Sequence, residues 1–581
     1  MSSSQALYLG YPEPVEAPVT SEDVTIYRHV PGNNPTLSGL PLSILSKVIS
    51  SLGPLANFFW HNAGFGALRH IEVAQSYQTR YQPLVIPRSP EPSSSDEASL
   101  FSGTQDRAFH TSADYVAAYN SGRTTPTDVA LYLLNLIKNP PHSLAFAEIR
   151  EDLTLEAAKE STIRYANGMP KGPLDGVPFI VKDEADVHGY KTTYGSAKVH
   201  RNGDGETTWA VKRLQQSGAI LIGKANMHEL GSDTTNNNPV KGTPRNPYDR
   251  NFYTGGSSGG SAYAVGSGLV PFAVGADGGG SIRIPASYCG VYGIKPSHGR
   301  ISARPSVSLS PGNGVIGPIA ATLQDLALVY RVMSEPDPDE PSSAAFPLPR
   351  APLVSISTPQ RKLLGVWKPW FNDAPDSITS LCNAAINRLV AKAGYELIEL
   401  PTIPYLNECR LAHALSIMAE IGIFVNGDIS SYNAANKIFL SVAAQTPALE
   451  FAIANKMRNM LMSHFAALWQ KYPGMIVVTP TSPLPGIEIQ KPHLSIGVSD
   501  TNTSLKSMRY VFLANFVGAP SLSAGVGYAE ESGIPIGLMG LAEWGKEEDL
   551  FGWGKDVAEG STVRKRGEIW VDVLGGVGGS K

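Results

Sequence analysis

Residues 254–296 read TGGSSGGSAYAVGSGLVPFAVGADGGGSIRIPASYCGVYGIKP, with two glycine-serine loops, Gly255 to Ser261 and Gly278 to Ser281, separated by small and apolar residues. Glycine lets backbone come close to a ligand and adopt conformations closed to other residues, so the N–H groups of such loops can converge on negative charge. Two loops of this kind facing each other make a polar site on an apolar bed. A nucleotide-binding P-loop would need lysine directly after its last glycine, whereas Gly260 is followed by Ser261 and Ala262, and the dinucleotide pattern lacks its acidic partner. Tight packing would account for one such loop. It does not account for two with a lysine upstream: Lys182, in GVPFIVKDEADV at 176–187, ends the apolar run Val177 to Val181. A lysine after a strand is usually a solvated surface group, but a buried one whose ammonium form is disfavoured can act as a base. The residues alone leave both readings open.

Outward from this stretch the pattern alternates. Short apolar runs at Val177 to Val181, Ala219 to Ile222, Val270 to Val274, Leu364 to Trp367 and Met475 to Val478 read as strands. Helical segments lie between them. Thr111 and Ser112 are N-cap candidates for a helix through Tyr119, Thr127 with Asp128 opens one over Val129 to Ile137, and Thr207 to Gln216 and Ile378 to Ala393 continue the series. The interleaving predicts an α/β fold, a single large α/β/α domain over residues 106–581 with a mixed, largely parallel central sheet flanked by helices.

Residues 1–105 differ in character and read as a partly helical N-terminal extension. Leu42, Leu45, Val48, Ile49 and Leu52 recur at helical spacing, ahead of Pro54 and the cluster Phe58, Phe59, Trp60. The polar face of this amphipathic helix carries serines and only Lys47, not the basic lining of a membrane-surface helix, so packing onto the main domain is the favoured reading, with capping of a site entrance the other. The stretch from Pro87 to Ser102, rich in Ser, Pro and acidic residues, reads as a linker and places a boundary near residue 105.

Composition narrows the function. The 581 residues carry a formal charge of −4, 42% hydrophobic and 17% charged residues, so the chain folds and has no basic excess with which to bind nucleic acid. Three cysteines, Cys289, Cys382 and Cys409, are too few for a disulfide framework and show no zinc-binding pair, which points to a reducing compartment. The opening MSSSQALYLGYPEP lacks the basic and apolar regions of a secretory signal, and no run reaches the roughly 20 apolar residues of a spanning helix. A cytoplasmic protein with no transmembrane segment is expected.

The motifs GGSSGGS at 255–261, ADGGGSIRIPASYCGVYGIKP at 276–296 and GVPFIVKD at 176–183 closely resemble the amidase signature family of serine hydrolases, and the chain is similar to fungal-type members with an N-terminal extension. The separations agree, 24 residues from Ser257 to Ser281 and 99 from Lys182 to Ser281. The resemblance extends over roughly residues 106 to 560, through GKANMHELG, RNPYD, VVTPTSPLP and FLANFVGAPSLSAGVGY. It implies Ser281 as nucleophile, Ser257 as a bridging serine after a cis peptide bond at Gly256–Ser257, and Lys182 as base. It also implies an oxyanion hole from the amides of Gly278, Gly279 and Gly280 together with Ser281, and support from Asp277, Arg283 and Ser258. No metal or organic cofactor enters that scheme. Two positions depart from the family pattern: Gly278, where a larger residue is more common, and Thr254, where proline is.

The implied activity is hydrolysis of a carboxylic amide of a small molecule to acid plus amine or ammonia, through a seryl acyl-enzyme. The alternatives are the glutaminase subunit of a tRNA-dependent amidotransferase, which would require partner subunits, and a non-catalytic binding protein on the same scaffold. A homodimer is the assembly to test. Other candidate sites fall away. His228-Glu229 lacks the second histidine of a zinc helix, since position 232 is Ser, and reads as local structure. Cys289 lies in apolar, glycine-rich surroundings and reads as a buried small residue. None of the twelve histidines sits in a serine-protease partner motif.

Overall fold

The computed structural model describes residues 7–17, 34–88, 108–349, 361–559 and 564–578. The boundary expected near residue 105, and most of the Pro87 to Ser102 linker, lie outside them. Two short ribbons tie down the N-terminal residues: β1 (Tyr8–Leu9) pairs with β3 (Ile86–Pro87), and β2 (Leu37–Ser38) pairs with β13 (Val498–Ser499). The main sheet has eleven strands: β4 (Phe146–Glu148), β5 (Pro178–Lys182), β6 (Ile220–Ala225), β7 (Phe272–Asp277), β8 (Tyr292–Lys295), β9 (Val315–Ala320), β10 (Lys362–Val366), β11 (Tyr395–Glu399), β12 (Ile476–Pro480), β14 (Ser521–Tyr528) and β15 (Pro535–Leu541). They run in the order β11-β10-β12-β15-β14-β8-β9-β7-β5-β6-β4.

All five strands read from apolar runs are present within two or three residues of their expected bounds. The sheet is mixed, as expected, but the expectation of a largely parallel sheet needs correction. Parallel pairing is confined to two blocks, β6-β5-β7 and β11-β10-β12, and the strands between pair antiparallel. Apolar runs report burial but not direction. The antiparallel centre rests on a short β14–β15 connection and on β8 and β9, which the apolar runs did not reveal.

Alternate residues of each strand enter opposite layers, as the two-residue period of a strand requires. Leu364, Val478 and Leu538 join an apolar cluster with the helices around Leu133, Val211 and Trp553, whereas Leu363, Val477 and Met539 join a second with Trp469 and Trp544. The extension shares that second cluster through Trp60, Phe65 and Leu68. Helix starts follow local chemistry. Thr111 caps Ser112–Asn120 with a reciprocal Asp114 bond, and Thr125, not Thr127, caps Pro126–Leu136. Proline suits the first helical position, and Asp128 then falls at the third, where it closes the capping box with Thr125.

The single amphipathic helix expected in the extension is two, α1 (Gly39–Ser51) and α2 (Gly53–Asn62), bent by 109°. Pro54 opens the second, and proline has no N–H with which to continue the first. Leu42, Ile49, Ala56 and Trp60 are buried, while Leu40, Ile44, Leu52 and Phe58 are exposed. Among the described residues no single helix is long and apolar enough to cross a membrane. The remaining elements that build the site are α3 (Gly259–Gly266), α4 (Arg283–Tyr288), α5 (Leu406–Val425), α6 (Ala434–Ala443), α7 (Ala448–Lys471) and α8 (Thr501–Ser507).

Candidate active site

Parallel strands β5 and β7 are neighbours and end side by side, which places Lys182 and Asp277 at one edge of the sheet. In α/β sheets the crevice beyond the carboxyl ends of strands is where ligands bind. Ser257 stands just before α3, and Ser281 lies in the loop that joins β7 to α4. Lys182, Ser257, Asp277, Gly278, Gly279 and Ser281 all face one cavity of about 240 Å³.

Lys182 is buried. Its Nζ lies 2.9 Å from Ser257 Oγ, 3.3 Å from the carbonyl oxygen of Ala276 and 3.1 Å from Glu184 Oε2. Of the two readings left open by the residues, the solvated surface lysine is therefore excluded. The Gly256–Ser257 peptide bond is cis. Ser281 is 8% exposed, and its hydroxyl makes no hydrogen bond among the described residues, so the contact between the two serines is not closed. A serine hydroxyl turns about one torsion, and catalytic hydrogen bonds commonly tighten only around bound substrate. Backbone joins the loops instead: Ser258 N–H donates to the Ser281 carbonyl at 3.2 Å, and Ser258 Oγ donates to that of Ala276 at 3.1 Å.

The Asp277–Arg283 pair underlies the glycine loop. Both side chains are fully buried, and Asp277 accepts from Arg283 Nε and Nη2 at 3.0 Å each, from Gly280 N–H at 2.7 Å and from Ile282 N–H at 3.0 Å. Burial alone would raise the Asp277 carboxyl, but the Arg283 guanidinium and these donors outweigh it and hold the group well below the usual range. This bonding corrects one expectation. The Gly280 N–H is spent on Asp277, and Gly280 does not line the cavity, so Gly278, Gly279 and Ser281 are the loop residues that face it. Gly280 is there for shape: its φ is +111°, and a Cβ would overlap Val511. At Gly278 the nearest atoms to a Cβ are 4.0 Å away, so the departure from the family pattern leaves open space in the cavity.

Several contributors escaped the sequence reading. His413, on α5, is buried with its Nε2 2.9 Å from the Gly278 carbonyl oxygen. Burial pushes this imidazole down to about 3, against a smaller upward pull from the Gly278 carbonyl, so it is neutral and donates. The trans Gly278–Gly279 peptide then turns the Gly279 N–H away from His413. Asn515 donates to the Asp277 carbonyl at 2.8 Å and accepts from Arg283 at 2.6 Å. His413 lies in no local motif, and Asn515, inside FLANFVGAPSLSAGVGY, shows nothing of its role there, because each meets the loop only through the tertiary fold. Glu184 lies within GVPFIVKDEADV, two residues beyond Lys182, and the residue type alone does not reveal its contact with the amine.

The cavity changes character away from the polar end. Leu309, Leu411, Ile417, Met418, Phe439 and Met508 line its body, and Ile49 and Phe59 from the extension close it over. The cap reading of α1 and α2 therefore holds alongside the packing one. His228 is buried with its ring pushed down by burial, and Glu229 accepts from Asn433 N–H and Asn436 Nδ2 at 2.9 and 2.8 Å, which fastens α6 beside the cavity as local structure. Cys289 is buried, its thiol raised by burial, with Sγ 3.5 Å from the Thr254 carbonyl oxygen. Among the described residues no group of three or more His, Cys, Asp or Glu could hold a metal ion.

A mixed sheet that brings a buried lysine, two serines and a glycine loop to one cavity is the framework of an acyl-transferring hydrolase. The chain belongs to the Amidase family, whose family model matches residues 129–551, and it is an amide-hydrolysing enzyme. It is similar to the fatty acid amide hydrolase of Medicago truncatula, 36% identical over 481 residues that cover 80% of this chain and 78% of the relative. It is also similar to that of Arabidopsis thaliana, 33% identical over 477 residues covering 79% and 78%. Among solved structures, one described with a vestigial protein complex and the origins of an s-triazine catabolic enzyme superposes with a TM-score of 0.71 at 26% identity, covering 78% of this chain and all of that one.

Proposed function

We propose that this amidase hydrolyses long-chain fatty acyl amides through Ser281, with Ser257 and Lys182 as its proton relay. The observation that carries the reading is the joining of one polar end, Lys182, Ser257 and Ser281, to an apolar cavity body. Ser281 Oγ attacks the carbonyl carbon as its proton passes to Ser257 Oγ, and the proton of Ser257 passes to Lys182 Nζ. The N–H groups of Gly279 and Ser281, with Gly278, meet the charge that develops on the carbonyl oxygen. Collapse breaks the C–N bond, the relay returns the proton to the leaving nitrogen, and water releases the acid from the acyl-enzyme by the same path. Asp277, Arg283 and Ser258 hold the loops.

The acyl chain runs under the roof formed by α1, α2 and α6, and this gives residues 1–105 a role beside the catalytic domain at 106–581. The buried free cysteines favour a cytoplasmic setting. A homodimer is carried forward as a proposal, and a single-chain mass by light scattering would refute it.

Acyl amides of increasing chain length test the substrate class. Selectivity, kcat/KM, should rise by about tenfold or more from short to long chains, and Ser281→Ala should lose turnover and labelling by a serine-reactive phosphonate. Equal selectivity for acetamide and a long-chain amide would refute the substrate class, and labelling that survives Ser281→Ala would refute the nucleophile.

A further inference from the structure

The proton relay leaves one charged neighbour unexplained. Glu184 lies in the turn after β5, its side chain 19% exposed, and among the described residues it is the one carboxylate within ion-pair distance of Lys182 Nζ, at 3.1 Å. Asp183, next to it, is turned the other way, toward Lys224 at 3.3 Å and Thr193. The surroundings of Nζ are therefore three: Ser257 Oγ, the Ala276 carbonyl and the Glu184 carboxylate.

These three partners differ in what they can do. A carbonyl and an ionised carboxylate only accept, whereas a serine hydroxyl both donates and accepts. A neutral amine has two N–H bonds and one lone pair. Ala276 and Glu184 take the two N–H bonds, and by elimination the lone pair faces the Ser257 hydroxyl, which is the direction from which the proton must come. Once the proton has crossed, the ammonium has three N–H bonds for the same three partners, and no atom has to move. A negative charge 3.1 Å away then stabilises the positive charge that has just formed.

We propose that Glu184 is a positioning residue for Lys182: it aims the lone pair of the amine at Ser257 and supplies the counter-charge of the ammonium formed during acyl transfer. The other charged and titratable groups around the pair do not duplicate it. Asp277 is committed to Arg283, Asp183 to Lys224 and Thr193, and Arg304, across the second cavity that Glu184 also lines, to Asp337 and Asp339. His228, His298 and Glu340 border the two cavities, Asp233 lines the first, and Tyr194, Asp186 and Arg201 lie on the Glu184 side. The counter-charge acts on the ammonium formed during the relay, so the pH dependence of turnover reads the role of Glu184.

This inference rests on the assignment of Lys182 as base, and the test separates the two. kcat/KM is measured against pH for the wild type, Glu184→Gln, Glu184→Asp and Lys182→Ala, with folding checked by thermal denaturation. Glu184→Gln keeps an acceptor but removes the charge: the rising limb of its profile should move toward acid by about one pH unit, with the alkaline plateau lowered roughly tenfold. Glu184→Asp keeps the charge and should leave the limb at the wild-type pH with a reduced plateau. This variant also decides the matter if the glutamine variant does not fold, since a limb displaced toward acid in Glu184→Asp would overturn the proposal. A merely structural Glu184 would lower activity equally at every pH, and an unmoved limb in folded Glu184→Gln overturns the proposal. Full turnover by Lys182→Ala would instead remove the base assignment itself.

Discussion

The floor and the roof of the cavity are held by different forces. On the floor, the loop from Asp277 to Arg283 is buried apart from the half-buried Gly278, and it is locked by a paired charge, by hydrogen bonds to Asn515, and by His413 on the Gly278 carbonyl. Its geometry is over-determined at the Asp277 carboxylate, the Arg283 guanidinium and the Gly278 carbonyl, since movement would leave these groups unpaired. The roof is α1, α2 and α6. Its inner face is mostly apolar, with Ile49, Phe59 and Phe439 beside Asn436; α6 is tied to Glu229 and Ser232 through Asn433 and Asn436, but the polar ties of α1 and α2 are few, among them Trp60 Nε1 to Thr446 Oγ1 at 3.2 Å and the short β2–β13 ribbon, and part of the outer face is apolar and exposed. Apolar contacts are non-directional and tolerate changes of shape. The floor is therefore the more tightly specified of the two, and the roof the more tolerant of a change of shape.

The largest effect should come from the floor. Asp277→Asn leaves the buried Arg283 guanidinium without its counter-charge, which should cost about 3–5 kcal/mol in urea denaturation and most of kcat. A loss below about 1 kcal/mol would mean that the pair is not what holds the loop. Within the glycine loop, Gly280→Ala forces a side chain into a left-handed conformation against Val511 and should cost about 1–3 kcal/mol with a fall in kcat. Gly278→Ala enters open space and should change stability by less than about 0.5 kcal/mol. Equal costs for the two would show that the loop responds to any added methyl group and not to backbone shape. The smallest loss of turnover is expected at the roof. Phe59→Ala should leave turnover of a short amide unchanged while raising KM for a long-chain amide roughly tenfold, from the loss of about 1–2 kcal/mol of apolar contact. If it lowers turnover of short and long amides alike, the division between floor and roof does not hold.

What could be read without coordinates, and what could not, divides along the same line. Residues 254–296 and 176–187 are legible locally, because serine, lysine and glycine-rich backbone are recognisable as residue types at fixed separations. The apolar runs located five strands because burial leaves its mark on every residue of a short segment. Gly280 reads with its neighbours as an oxyanion donor because a string of glycines does not reveal which N–H is already bonded. Only Asp277, folded back beneath the loop, decides that.

The α/β class, the family, and the lysine and two serines that line the cavity are legible in the chain, since each of these depends on periodicity or on motifs within a few residues. The tertiary structure alone decided the antiparallel centre of the sheet, the closing of the cavity by residues near position 50, and the placing of His413 and Asn515 on a loop more than a hundred residues away in the chain. Contacts of that kind come from how layers pack, and a partner chosen by packing leaves no periodic or local trace in the segment that receives it.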